Sequence, residues 1–256
     1  MSRITQKGAN SPLSLQANGT FQTSTDANLA TLVGTRWDLS DGREIMLVST
    51  SATSVGTPGF LYQDAAIVAN HQNLAVASVT AYSNNGNTPA SITATVGATA
   101  ITANQYQGGF AIVNAGQGLG QTRRIASNTA AVASGTPTIV FEDGPNVALT
   151  TSSFVSLLPP HGANIIVSPT TPTGATAGVC LAPIAVSSYG FVTTKGLASA
   201  ISDASVATVG QSISPSVTTA GTVTRSTGSP GLVTASIGYA NQTAVSAEAR
   251  TVFLNV

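Results

Sequence analysis

The sequence predicts an all-β, mainly antiparallel protein of barrel or sandwich modules, with an extended N-terminal arm and at most one short helix. Three observations carry this. Short β-compatible runs recur through the second half: TPTIVFEDGP, SSFVSLLPP, ANIIVSP, AGVCLAPIAV, YGFVTTKG, ASAISDA, GTVTRSTG, LVTASIGYA and ARTVFLNV, each closed by Gly, Pro, Ser, Asn or Asp. Several of these runs alternate with the period of two that a pleated strand imposes on its side chains. Long amphipathic helical patterns are absent from that half.

Taken in order, residues 1–42 show neither strand nor helix period and are expected to form an extended arm. They hold scattered apolar side chains, Leu13, Leu15 and Phe21 among them, where a free tail would be richer in charge. The arm is therefore expected to lie on a neighbouring subunit, with Leu13, Leu15, Phe21, Arg36 and Trp37 as candidate interface residues. Trp37, the lone tryptophan, suits a hot-spot anchor, and an ordinary buried tryptophan is the competing reading. In DLSDGREIMLVST, Asp41-Gly42 supplies a tight turn into a strand over 43–48. PGFLYQDAAIVANHQNLAVA (58–77) carries Leu61, Ala65 and Val68 at helical spacing and is the one expected helix. ASITATVGATAIT returns to alternation, with Ile92, Ala94 and Val96 on one face.

GGFAIVNAGQGLGQTRRIAS (108–127) crowds Gly116, Gly118 and Gly120 ahead of two arginines, like a phosphate loop. A dinucleotide fingerprint needs a helix after its glycines, and a P-loop needs Lys-Ser or Lys-Thr; QTRRIASNTA supplies neither. Strand, turn and strand is the simpler reading, with the glycines serving positive-φ turn positions. In YGFVTTKG, Tyr189, Phe191, Thr193 and Lys195 are expected on one face, with Val192 and Thr194 on the other. ARTVFLNV places Val252, Leu254 and Val256 together and is expected to pair into a sheet. The chain then divides into the arm (1–42), a β-rich module with the short helix (43–170) and a barrel-like module (171–256).

Composition bounds the function. Charged residues make up 7% of the 256, against about 25% in ordinary soluble domains. Nine basic residues balance nine acidic ones, so no field draws in nucleic acid or an anionic membrane, and neither is expected as a partner. A surface of Ser, Thr, Asn, Gln and Gly is cheap to desolvate and suits packing against other subunits. No run of about twenty apolar residues and no apolar leader stretch occurs, which predicts a soluble chain.

Chemistry-bearing constellations are sparse. Cys180 is the single cysteine, so neither an internal disulfide nor a cysteine zinc cage is available, and it is expected in the core. His71 and His161 are too few for a three-histidine metal site and fit packing or surface roles. Serines abound, which leaves a triad open by count, yet no G-x-S-x-G elbow is present. Glu142-Asp143 are adjacent, point to opposite faces of a strand and precede Gly144-Pro145, as a charged turn would. No catalytic residue, metal site or cofactor is expected.

Four stretches together resemble a known family: QYQGGFAIVNAGQGLGQTRRIASN (105–128), TIVFEDGPNVALTTSSFVSLLPP (138–160), SPTTPTGATAGVC (168–180) and YGFVTTKGLASAI (189–201), closed by TVFLNV. They look like the head decoration, or cement, proteins of tailed bacteriophages, particularly those of marine and cyanobacterial phages. Phe191 stands where that pattern has tryptophan, and Asn164 where it is often aromatic. The resemblance implies a non-enzymatic virion protein, made in the host cytoplasm and carried on the capsid surface. It also implies a homotrimer whose partner is the major capsid protein, bound where hexamers meet. The rival expectation is a receptor- or carbohydrate-binding β module of a tail or fibre, which needs aromatic platforms in a chain where aromatics are 5%.

Overall fold

The computed structural model describes residues 23–80, 90–203, 208–226, 236–243, 245 and 247–256, with the main chain of 4–5, 16–17 and 20–21. Contacts divide the chain into two units, one of Met1–Ala66 with His161–Val256, the other of Ile67–Pro160. The boundaries therefore fall at 66/67 and 160/161, not at 42/43 and 170/171: the barrel-like unit is the middle of the chain, and the first unit is built from both ends.

The first unit opens with β1 (Ile4–Thr5), β2 (Gln16–Ala17), β3 (Thr20–Phe21), β4 (Arg36–Leu39), β5 (Glu44–Ser49) and β6 (Leu61–Gln63). A 3₁₀ turn over Ala27–Leu32 starts at Asp26, whose carboxylate accepts the Asn28 amide at 3.0 Å. The β4–β5 turn uses Gly42 at φ +84°, as Asp41-Gly42 led one to expect. Strand β5 is covered on both faces. Ile45 and Leu47 pack with Leu29, Trp37 and Phe191, while Met46 and Val48 pack with Tyr62, Ile165 and Val192.

This corrects the arm. Residues 23–42 are part of their own unit's core: β4 pairs with β5, and Trp37 is 1% exposed, edge-on to Phe191 with ring centroids 5.8 Å apart. The tryptophan is the ordinary buried one, packed with Leu29, Leu39, Ile45, Leu47 and Phe191 of its own chain. Leu13 and Leu15 lie outside the described residues, and of Phe21 only the main chain is described, paired to Gln16.

The second unit holds β7 (Leu74–Thr80), β8 (Ser91–Ala94), β9 (Phe110–Ala115), β10 (Thr122–Asn128), β11 (Thr138–Phe141) and β12 (Phe154–Leu158). All pairings are antiparallel and close a six-stranded barrel in the order β10-β11-β8-β7-β12-β9. The sequence alternation is its cause. Ile92 and Ala94, Ala111 and Val113, Ile139 and Phe141, and Val155 and Leu157 all point into the barrel. The helix expected over 58–77 is absent. Leu61 lies in β6, a 3₁₀ turn covers Ala69–His71, and β7 begins at Leu74. Leu61 packs into one core cluster and Tyr62 into another, so β6 is covered on both faces, Gln63 is buried as well, and no strand period marks it.

The chain then completes the first unit with β13 (Ile166–Val167), β14 (Thr176–Cys180), β15 (Tyr189–Ile201), β16 (Ser212–Pro215), β17 (Val223–Arg225), β18 (Gly238–Ala240) and β19 (Ala249–Asn255). Its sheet runs β1-β4-β5-β15-β19-β18-β16-β17, with β14, β6 and β13 branching from β15. β15 joins the two parts. Its first half lies between β5 and β14 and is buried on both faces, Phe191 through Thr194 in succession, which overrides the alternation read from YGFVTTKG. A bulge between Thr193 and Lys195 ends that stretch, and the second half alternates against β19. Val252 and Leu254 point into the core as the sequence indicated. Among the described residues no helix is long and apolar enough to cross a membrane.

Candidate functional site

The glycine-rich stretch is a hairpin. β9 and β10 pair antiparallel, Thr122 opposite Ile112, and Gly116, Gly118 and Gly120 take φ of +77°, +85° and +86°. Three of the loop's amides bond within the hairpin: Leu119 N donates to Gly116 O (3.2 Å), Gly120 N to Val113 O (2.8 Å) and Gln121 N to Gly118 O (3.1 Å). The Gln121 side chain donates to Gly118 O and Val147 O and accepts from Val147 N. A strand, not a helix, follows, so no helix dipole awaits a phosphate.

Several other described groups that could carry chemistry are engaged within the fold. His71 is fully buried; its Nε2 donates to Thr99 O at 3.1 Å, which leaves Nδ1 to accept the Tyr106 hydroxyl at 2.6 Å. Burial pushes the Tyr106 phenol up to about 12. His161 faces Asp64 at 2.7 Å. The Cys180 thiol is buried, and that burial pushes its pKa up to about 12, so it stays protonated at neutral pH. Glu142 pairs with Arg124 at 3.2 Å as a charged turn. Arg36 pairs with Glu44 at 2.9 Å and donates to the Val256 main-chain oxygen at 3.1 Å.

A polar cluster that the sequence did not single out lies under β16 and β19. Asp203 accepts from Ser216 (2.6 Å) and Thr218 (3.1 Å), and Arg250 donates to Ser202. Burial lowers the Arg250 pKa, and the Asp203 charge partly offsets this. Ser216 with Asp203 lacks the histidine a triad needs, because both histidines are engaged elsewhere. Among the described residues no three His, Cys, Asp or Glu side chains gather in a way that would hold a metal.

What the first unit offers outward is surface. In an antiparallel sheet, directly opposed residues share a face, and Leu197, Phe253 and Tyr239 are opposed across β15, β19 and β18. They form an exposed row, at 44%, 49% and 59% of their full accessibility, while Ala198, Val252 and Ala240 face the core. Beside β15 opens a cleft of about 670 Å³, its walls including Pro58, Val179, Leu181 and Leu197. Its two ionic residues, Asp41 and Arg43, neutralise each other at 2.7 Å.

Comparison with protein families, curated proteins and solved structures finds no match. Function therefore rests on the geometry. Of the candidate interface residues, the structure brings Trp37 into the core and pairs Arg36 with Glu44; Leu13, Leu15 and the Phe21 side chain lie outside the described residues. The apolar row was hidden because it depends on which strands pair and in which register. Only Phe253, flanked by inward Val252 and Leu254, had a legible outward direction.

Proposed function

We propose that this chain is a structural virion protein: a head decoration, or cement, protein of the tailed-bacteriophage type, without enzymatic activity. It would bind the outer capsid surface between capsomers of the major capsid protein and stabilise the expanded head, associating with copies of itself as a trimer. The observation that carries the reading is the exposed Leu197–Phe253–Tyr239 row on an antiparallel sheet, in a chain whose described residues gather no catalytic or metal-binding cluster. Such a surface acts by covering seams. Many modest contacts multiplied by symmetry add interface area across joints that internal pressure would part.

The test is to mix the purified protein with expanded, undecorated heads of the phage that encodes it, then measure cosedimentation and reconstruct the particle. Saturable density on the outer surface between capsomers is expected, with a rise in the temperature at which heads open. No occupancy at micromolar protein overturns the reading. Exposed Tyr239 and Phe253 on adjoining strands also fit a sugar-binding platform; selective glycan binding without head binding would favour that rival.

A further inference from the structure

We propose that the outer face of β15, β19 and β18, with the cleft beside β15, docks a partner protein presenting an apolar side chain on an extended segment and a carboxylate next to it. The assignment rests on the head-decoration reading, under which that partner is the major capsid protein.

Hydrogen-bond register supplies the first argument. Even-numbered residues of β15 bond toward β19: Val256 N donates to Thr194 O (2.9 Å), and Ser202 N donates to Glu248 O (2.9 Å). Antiparallel alternation then turns the main-chain groups of Leu197 and Ser199 the other way. Pairing with β5 on that side stops at Lys195, and the next contact is Ile201 N donating to Gly59 O at 2.8 Å. Among the described residues no strand pairs with β15 between these points, so the edge at Leu197 and Ser199 faces the cleft. An unpaired strand edge beside an apolar hollow recognises extended backbone, whose amides and carbonyls match the edge while one side chain fills the hollow.

Charge supplies the second. Lys195 lies on the same outward face two residues before Leu197, and among the described residues its ammonium has no hydrogen-bond or ion-pair partner. Its cross-strand neighbour Glu44 is already held by Arg36 and by Thr194, each at 2.9 Å. The other described residues opposed on this face across β15 and β19, Ser199, Ile201, Ala249, Thr251 and Asn255, carry no charge, and the nearby acids Glu44 and Asp41 are already engaged by Arg36 and Arg43, which leaves Lys195 as the one unpaired charge. A second copy applying the same face would bring another unpaired Lys195 and no unpaired carboxylate. A heterologous partner with an acid beside its apolar segment fits both the row and the charge.

The experiment uses full-length Phe253→Thr, Tyr239→Thr and Lys195→Glu, with Leu119→Ser on the β9–β10 turn as a control outside the face. Threonine keeps strand propensity at exposed positions. Head binding is titrated at low and high salt, and oligomeric mass is followed by light scattering. Phe253→Thr and Tyr239→Thr are each expected to weaken head binding roughly tenfold or more. Lys195→Glu should weaken it more at low salt than at high salt, and Leu119→Ser should bind as wild type does. If wild type binds heads and the two threonine variants bind equally well, the docking face is wrong while the head reading stands. If they lose oligomeric mass with head affinity unchanged, the face joins copies of this chain, and the proposal is overturned. If wild type itself does not bind, both fall.

Discussion

Asp64 and His161, 97 residues apart in the chain, meet at 2.7 Å, and the other oxygen of the same carboxylate accepts the Gly162 amide at 2.8 Å. The chain leaves the first unit after Ala66 and re-enters it at His161. One carboxylate thus ties together the two crossings, and the unit's discontinuity is closed by hydrogen bonds where no covalent continuity exists.

Asp64→Ala should therefore destabilise the first unit by about 1–3 kcal/mol, since it strands a half-buried amide and a ring nitrogen together. Asp64→Asn still offers an oxygen to Gly162 N, and His161→Ala spares that bond too, so both should cost less. Urea unfolding followed by Trp37 fluorescence reads this unit alone. Equal losses for all three variants would mean that the carboxylate does not bridge.

The β9–β10 turn makes a sharper comparison. A Cβ on Gly116 would fall 2.0 Å from Ser152 O, whereas one on Gly120 would meet nothing within 4 Å, although both residues have positive φ. Gly120→Ala should cost only the left-handed backbone term, about 1 kcal/mol, and Gly120→Asn less. Gly116→Ala adds a collision with main chain and should exceed about 3 kcal/mol in thermal or urea unfolding. Similar costs at the two positions would contradict this turn.

That hairpin, β8, β11, β12 and β19 were legible because each buries one face and exposes the other, which writes a period of two into the sequence. β6 and the first half of β15 bury both faces, so Leu61-Tyr62-Gln63 and Phe191 through Thr194 carry no alternation to read. The unit boundary at 66/67 was illegible for a different reason. Both units use the same Ser, Thr and Gly-rich composition, and nothing in residues 64–68 marks a departure. The Leu197–Phe253–Tyr239 row was hidden by sequence separation, since it exists only once β15, β19 and β18 are set in register.

Cys180 gives a pH-dependent expectation. Its thiol donates to Ala182 O at 3.0 Å, and burial raises its pKa to about 12. An unfolded thiol ionises near 8.5. Between these values the unfolded state has released its proton while the native state keeps it, so stability should fall as pH rises through that window. Tyr106, also raised to about 12, adds to the decline at its upper end. Cys180→Ala should flatten part of the slope, and a thiol reagent at pH 8 should label native protein no faster than the chain opens. Rapid labelling of folded protein would show the thiol to be accessible.

Truncation tests where the N-terminal segment ends and the core begins. Residues 23–42 contribute Leu29, Trp37 and Leu39 to a cluster closed by Ile45, Leu47 and Phe191, with Leu32 packed against it. Removing 1–36 would strip Leu29 and Leu32 from Trp37 and delete Arg36, which holds Glu44 and the Val256 oxygen. Among the described contacts, removing 1–22 takes away the β1 pairing to Leu39 and Asp38 and the β2–β3 pair. The shorter deletion should keep the blue-shifted emission of a buried tryptophan and a cooperative urea transition. The longer one should lose both, because the exposed cluster costs more than a marginally stable unit holds in reserve. Trp37→Ala alone should cost about 3–5 kcal/mol, the range for emptying a large aromatic site. A 1–36 deletion that retains wild-type stability would return residues 23–36 to the status of a detachable arm.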